Sequence, residues 1–201
     1  MKCRGLYFVL SVIILMIGFI RGAEAQTTYI ESSSLEKLSS LQKSPIGWFK
    51  TEIPKTIEYV EFIWDEEISY KDKMSISIKI SEKHPEENMI AYNWYTNVQN
   101  WKEGHKYELS CWVKGRDLNE PIWVCVQCWD EAMSKMLKFS TTQIDYPLTG
   151  TFDWQQIGVV FTIPVDTHKV VLRAGIAAPG NNSGQAWFDE VQLREVKEED
   201  K

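Results

Sequence analysis

A two-residue period runs through most of this chain, and it constrains the fold more than any other feature. In Met74-Ser-Ile-Ser-Ile-Lys-Ile80, the side chains of Ile76, Ile78 and Ile80 fall on one side and those of Ser75, Ser77 and Lys79 on the other. Successive side chains of an extended chain point to opposite faces, so this is the pattern of a half-buried strand. Tyr92, Trp94, Thr96 and Val98 alternate in the same way with Asn93, Tyr95, Asn97 and Gln99. Tyr107, Leu109, Cys111 and Val113 form the apolar side of the next run, and Ile122, Val124, Val126 and Cys128 that of the run after it. Further runs follow at 137–142, 155–163, 169–177 and 186–193, separated by Gly, Pro, Asn and Asp turns with no long helical period between them. That succession predicts an all-β fold, an antiparallel β-sandwich of two sheets. In the last run, Gln185-Ala-Trp-Phe-Asp-Glu-Val-Gln-Leu193, the acidic pair Asp189-Glu190 interrupts an aromatic and aliphatic strand, so these carboxylates need a structural reason.

The ends of the chain read differently. Residues 1–25 carry Lys2 and Arg4, an apolar run from Leu6 to Ile20, and then Ala23-Glu24-Ala25, which is the layout of a cleavable signal peptide. The apolar run is about 15 residues, short of the roughly 20 that a spanning helix needs. The expectation is a secreted, periplasmic or extracellular protein with no membrane span after processing. In the lead-in of residues 26–44, Leu35, Leu38 and Leu41 recur every three positions and Ser33-x-x-Glu36 has the form of a capping box. A short N-terminal helix and an unstructured lead-in are the two readings. The sandwich is expected over 45–194, followed by a charged tail at 195–201.

Charge and motifs exclude several activities. A formal net charge of −6 argues against nucleic acid as a partner, because a phosphate backbone rewards a basic face. Cys125-x-x-Cys128 lies on a strand, where residues three apart face opposite ways and cannot jointly hold a metal. Cys111 and Cys128 share the apolar side and are the face-compatible pair for a disulfide. His84, His105 and His168 sit in turns with no partner at fixed spacing, and the acidic clusters at 65–67, 130–131 and 189–190 lack the Glu-x-Asp-x-x-Glu strand pattern of sandwich glycosidases. Nucleophile-elbow, zinc-protease and phosphate-cradling motifs are absent from the sequence. The chain is therefore read as non-catalytic.

If the apolar sides face the core, Trp112, Trp123, Gln127 and Trp129 face outward on two consecutive strands, Tyr95 on a third and Arg173 on a fourth. Flat rings beside amide and guanidinium donors are what a sugar needs, a surface for its C–H face and fixed donors for its hydroxyls. The same residue types also serve as protein hot spots.

The order of landmarks carries a resemblance. Pro45-Ile-Gly-Trp48, Trp64-Asp65, Lys73-Met-Ser-Ile-Ser-Ile78, Trp94 with Val98, Gly104-His-Lys-Tyr107-x-Leu-Ser110-x-Trp112-Val-Lys114, Asp153-Trp154 with Phe161-Thr-Ile-Pro164, and Trp187-Phe-Asp189-Glu-Val-x-Leu193 resemble the jelly-roll carbohydrate-binding modules of the galactose-binding-like fold. The resemblance spans residues 45–194. It implies two antiparallel sheets, a sugar site on the concave face or the loops, and a structural calcium held by an acidic residue near the N-terminus and by the aspartate of the last strand. Asp189 stands at the second position, and Glu36 is a looser counterpart of the first. The function so implied is a secreted, non-catalytic domain that binds a polysaccharide or glycan. The alternative is a cell-envelope or adhesion module that binds a protein partner and no sugar.

Overall fold

The computed structural model describes residues 27–39, 44–53, 55, 58–81, 91–176 and 183–197. The signal-peptide expectation and His84 lie outside them. Ten strands follow one another: β1 (Trp48–Ile53), β2 (Val60–Asp65), β3 (Ser75–Ile80), β4 (Ala91–Asn97), β5 (Lys106–Leu118), β6 (Ile122–Trp129), β7 (Met136–Thr141), β8 (Gly150–Thr162), β9 (Lys169–Ile176) and β10 (Gly184–Glu195). They form two five-stranded antiparallel sheets with strand orders β1-β4-β9-β6-β7 and β2-β3-β10-β5-β8. The all-β sandwich expected from the alternation is the observed architecture. Two strands escape that alternation, β1 and β2. Both are sheet edges, where a strand packs against one neighbour and its sequence carries less of the core pattern.

The inward sides are those the sequence marks. Ile76 and Ile78, Tyr92 and Trp94, Leu109 and Val113, Val124 and Val126, Leu172 and Ala174, and Phe188 are all buried between the sheets. At about 1.5–3 kcal/mol per fully buried large apolar side chain, this layer supplies the main drive to fold. Trp94 also ties the sheets together, because its indole N–H donates to the Ser77 carbonyl at 3.0 Å. A buried indole needs such an acceptor. All three described cysteines are free and buried.

Helix is absent from the described residues, which corrects the short N-terminal helix. The segment instead lies along the sandwich, with Tyr29, Ile30 and Leu35 in the core. Its carbonyls take the place of a sheet neighbour: Ser32 and Leu35 accept the indole N–H groups of Trp48 and Trp64 at 3.0 Å, and Ser33 accepts the Val191 N–H at 3.1 Å. Leu35 has φ 65, which breaks any helical register. The leucine spacing reports burial of Leu35, whereas Leu38 stays exposed at 53%.

The Asp189-Glu190 step now has its reason. Between Asp189 and Gln192 the β10–β5 register shifts, and Glu190 adopts φ 47. An inserted bulge residue lets Phe188 and Val191 both face the core although they are three apart in sequence. Asp189 points to the other side, beneath the β2–β3 connection, and is fully buried. Its Oδ2 accepts the N–H groups of Tyr70 at 2.8 Å and Lys71 at 3.1 Å, and its Oδ1 accepts that of Glu190 at 2.7 Å. The connection turns at Asp72, with φ 58, and so folds back over the outer face of its own sheet. Trp187 is covered there as well, with the Arg116 guanidinium 5.1 Å from its ring centroid and Asp65 Oδ2 accepting its N–H at 2.8 Å.

Gly184 opens β10 at φ +106, and a Cβ there would stand 2.5 Å from the Asp117 carbonyl oxygen and 2.6 Å from that of Arg116. Backbone cannot retreat as a flexible side chain can. Gly184→Ala is expected to cost about 2 kcal/mol and to lower the melting temperature by about 4–8 °C. A calorimetric melting curve unchanged from wild type would contradict that close approach.

Candidate functional site

The β1-β4-β9-β6-β7 sheet presents an outer face whose side chains are fixed by cross-strand register. Cys125 and Tyr95 lie opposite Arg173 on its two sides, and Phe49 lies opposite Tyr95. One pair further along, Trp123 and Asn93 flank Gly175, and Thr51 lies opposite Asn93. On the other flank Phe139 and Thr141 of β7 lie opposite Gln127 and Cys125. Together they enclose an open cleft of about 470 Å³, lined by Thr51, Asn93, Trp123, Gln127, Phe139 and Arg173 among others.

Arg173 organises its floor. Its Nε donates to Gln127 Oε1 at 2.9 Å, and its Nη1 to Thr51 Oγ1 and Asn93 Oδ1 at 3.0 Å each. The guanidinium also lies 5.1 Å from the Tyr95 ring centroid, and Tyr95 stacks on Phe49 at 5.3 Å. Four strands are thus cross-tied by one side chain, which holds the two amides in fixed orientations. Burial pulls the Arg173 pKa below its ordinary value, but a guanidinium remains charged throughout the physiological range. Cys125, also in the floor, has its pKa pushed up to about 12 by burial; it stays a neutral thiol, neither nucleophile nor metal ligand at neutral pH. Neither carboxylate nor histidine appears among the described residues lining the cleft. These described residues can orient hydroxyls and cover an apolar face, and they form no proton-transfer pair among themselves.

Gly175 explains how Trp123 enters this floor. A Cβ at that position would lie 2.8 Å from Trp123 Cζ2 and 2.9 Å from the Tyr92 carbonyl oxygen. Glycine lets the indole reach across to the β9 backbone.

All six outward residues marked in the sequence do point out of the sandwich, but not onto one surface. Trp123, Gln127 and Arg173 line the cleft, and Tyr95 supports it beside Arg173. Trp129 ends β6 on the same face, beyond the lining, opposite Lys169. Trp112 belongs to the opposite sheet, because β5 and β6, though consecutive, pair into different sheets. There it stacks beneath Tyr70, ring centroids 3.7 Å apart, with Trp154 edge-on to Tyr70 at 5.9 Å. Grouping Trp112 with Trp123 is thus corrected: a connection crossing between sheets is invisible to alternation, which reports in or out but not which sheet. The sequence reading missed Thr51, Asn93, Phe139 and Gly175. Asn93 was findable, lying two residues from Tyr95 on the same side; Thr51 was not, since β1 has no clean period.

The two residues marked for calcium do share one structure. Asp189 grips the β2–β3 connection at Tyr70 and Lys71, and Glu36 Oε1 grips it further on, accepting the N–H groups of Lys73 at 3.1 Å and Met74 at 2.8 Å. This donor set does not fit a cation. Calcium takes six to eight oxygens, whereas here N–H dipoles point at both carboxylates. Clusters of three or more metal-ligating side chains are absent among the described residues. Saturating calcium is expected to leave the melting temperature unchanged. A rise with calcium that is lost in Asp189→Ala would restore the metal site, since a ligand of the native state stabilises by mass action.

No family model matches the sequence. Over 97 residues, 47% of this chain, it is 27% identical to an uncharacterized HTH-type transcriptional regulator, YbfP, of Bacillus subtilis strain 168; the match takes in 30% of that protein. The chain thus spans under a third of this curated relative. Among solved structures it is similar to a CBM4 module (TM-score 0.54, 14% identity, 83% of this chain and 99% of that one). It is also similar to the CBM22-1 xylan-binding domain from Paenibacillus barcinonensis Xyn10C (TM-score 0.52, 14% identity, 76% and 88%). A third similar structure is the enzymatically active domain of tailspike protein 4 from bacteriophage CBA120 (TM-score 0.54, 10% identity), of which this chain covers 20%. Identities this low speak to fold alone, and on that ground the chain has the jelly-roll β-sandwich fold of the carbohydrate-binding modules.

Proposed function

We propose that this chain is an exported, non-catalytic domain that binds polysaccharide in the cleft on the outer face of the β1-β4-β9-β6-β7 sheet. The observation that carries the reading is the pairing, in one open cleft, of Trp123 and Phe139 with donors and acceptors held rigid by Arg173. Aromatic rings cover the C–H face of a sugar, and pre-oriented polar groups bond its hydroxyls without an ordering cost at the moment of binding. An elongated polymer suits an open cleft better than a small solute does. The xylan-binding domain among the similar folds supports this ligand class. Export rests on the sequence of residues 1–25, and N-terminal sequencing of protein recovered from the medium should begin at Gln26.

Affinity electrophoresis against soluble xylan, β-glucan, mannan and acidic polysaccharides tests the binding directly. Retardation by at least one polymer is expected. Unchanged mobility with all of them overturns the reading and favours the second one, a protein-binding module. That reading draws on the free edge of the same sheet, where Phe139 is 52% exposed and Ile144 83%, with Met133 and Met136 exposed nearby. Trp and Tyr surfaces of this kind also serve protein partners.

A further inference from the structure

The sheet that bears the cleft has a one-sided charge pattern. Its five strands contain a single acidic residue, Glu52, which pairs with the core residue Tyr92 and so lies on the face away from Thr51 and Ile53. The strands of the other sheet contain eight. On the outer face of β9, meanwhile, Lys169 and Arg173 stand four residues apart on the same side. In a chain with 28 acidic and 22 basic residues, strands whose outer face carries two cations and no carboxylate run against the composition.

Arg173 makes the point sharper. Its partners Gln127, Thr51 and Asn93 are neutral, and the ion pairs among the described residues do not include it. A half-buried guanidinium without a counter-charge is a costly way to cross-tie strands, because desolvation of the charge is not repaid by neutral acceptors. The three described hydrogen bonds use Nε and Nη1, and among the described residues none engages Nη2.

We propose that the polysaccharide bound in this cleft is anionic, with a carboxylate or sulfate oxygen of the sugar paired to Arg173 and a following charge drawn toward Lys169. This rests on the cleft being the polysaccharide site. The ligand oxygen completes an ion pair that the protein leaves half made, in a partly desolvated setting where charge-assisted hydrogen bonds are strongest. The overall charge of −6 opposes approach at long range, so the preference comes from the local pair.

The test is isothermal titration of the full chain with matched polymers: polygalacturonate and its carboxyl-reduced form, glucuronoxylan and its carboxyl-reduced form, and a sulfated galactan with its desulfated form. At least one acidic polymer should bind about tenfold or more tightly than its neutral partner, a difference of about 1.4 kcal/mol. The pair that discriminates identifies carboxylate or sulfate. That margin should shrink as salt rises from about 0.05 M to about 0.5 M. Arg173→Lys, which keeps a charge but not the fork, should retain part of the margin, and Arg173→Gln should abolish it; circular dichroism checks that both fold. Equal affinity for acidic and neutral forms overturns the anionic preference and leaves polysaccharide binding standing. Binding of none of the six overturns the anionic preference, and affinity electrophoresis on the wider panel then decides whether polysaccharide binding stands.

Discussion

Replacing Asp189 by alanine is expected to destabilise the domain by about 3 kcal/mol near pH 5, and so to lower its melting temperature by about 6–12 °C. The carboxylate is fully buried and accepts three backbone N–H groups, from Tyr70, Lys71 and Glu190. Each buried donor left without an acceptor costs about 1–3 kcal/mol. The loss should be local as well as global: freed from Asp189, the β2–β3 connection no longer holds Tyr70 over Trp112, and tryptophan emission should shift to the red. Glu36→Ala should cost less, because the Lys73 N–H it accepts lies in an exposed bond that water can replace. Burial also pushes the Asp189 pKa up from 3.8 to about 6, against the opposing pull of its three N–H donors. A folded-state pKa above the unfolded one means that the native chain binds the proton more tightly. The stability this provides is present in full below about pH 4 and is lost as pH rises through about 6. The melting temperature of wild type minus that of Asp189→Asn, which cannot titrate, should therefore be smaller at pH 7 than at pH 4. A difference that grows with pH would show that the N–H donors outweigh burial.

Trp123→Ala is expected to weaken polysaccharide binding by about 30-fold, or about 2 kcal/mol, the scale of a central aromatic anchor. The same change at Trp112 should alter affinity by less than about twofold. Both residues are outward tryptophans on strands adjacent in sequence, but Trp123 reaches over Gly175 into the cleft while Trp112 lies under Tyr70 on the opposite sheet. Trp112→Ala should instead cost stability, through its lost stacking on Tyr70. If both variants bind as wild type does, the cleft is not the site.

The fold was legible in the sequence because most of its strands place apolar residues at every second position. Ile76, Ile78 and Ile80 on β3 and Tyr92 and Trp94 on β4 are core residues as that period requires. Ser75 and Ser77 limit the rule: they alternate as a solvent face yet are fully buried, because the β2–β3 connection folds back over that face. The N-terminal segment misled for a related reason. Leu35 is buried against the sandwich, and a leucine buried by tertiary contact has the same spacing as one buried by a helix. Within the site, Arg173 and Gln127 were visible through alternation, but their union with Thr51 and Asn93 depends on β1 pairing with β4 and β4 with β9, an order that local sequence does not encode. Asp189 was conspicuous for its chemistry, and its partners proved to be backbone N–H groups, which no residue type announces.

The most direct measurement of the central claim is a nitrogen–proton correlation spectrum of the labelled chain, titrated with the polysaccharide fragment that binds best. Each indole and the Arg173 Nε–H give separate resonances. The indole of Trp123 and the Nε–H of Arg173 should shift progressively to saturation, while those of Trp112, Trp154 and the buried Trp94 stay in place. Shifts at Trp112 and Trp154 with Trp123 and Arg173 unmoved would contradict the account and transfer the site to the opposite sheet.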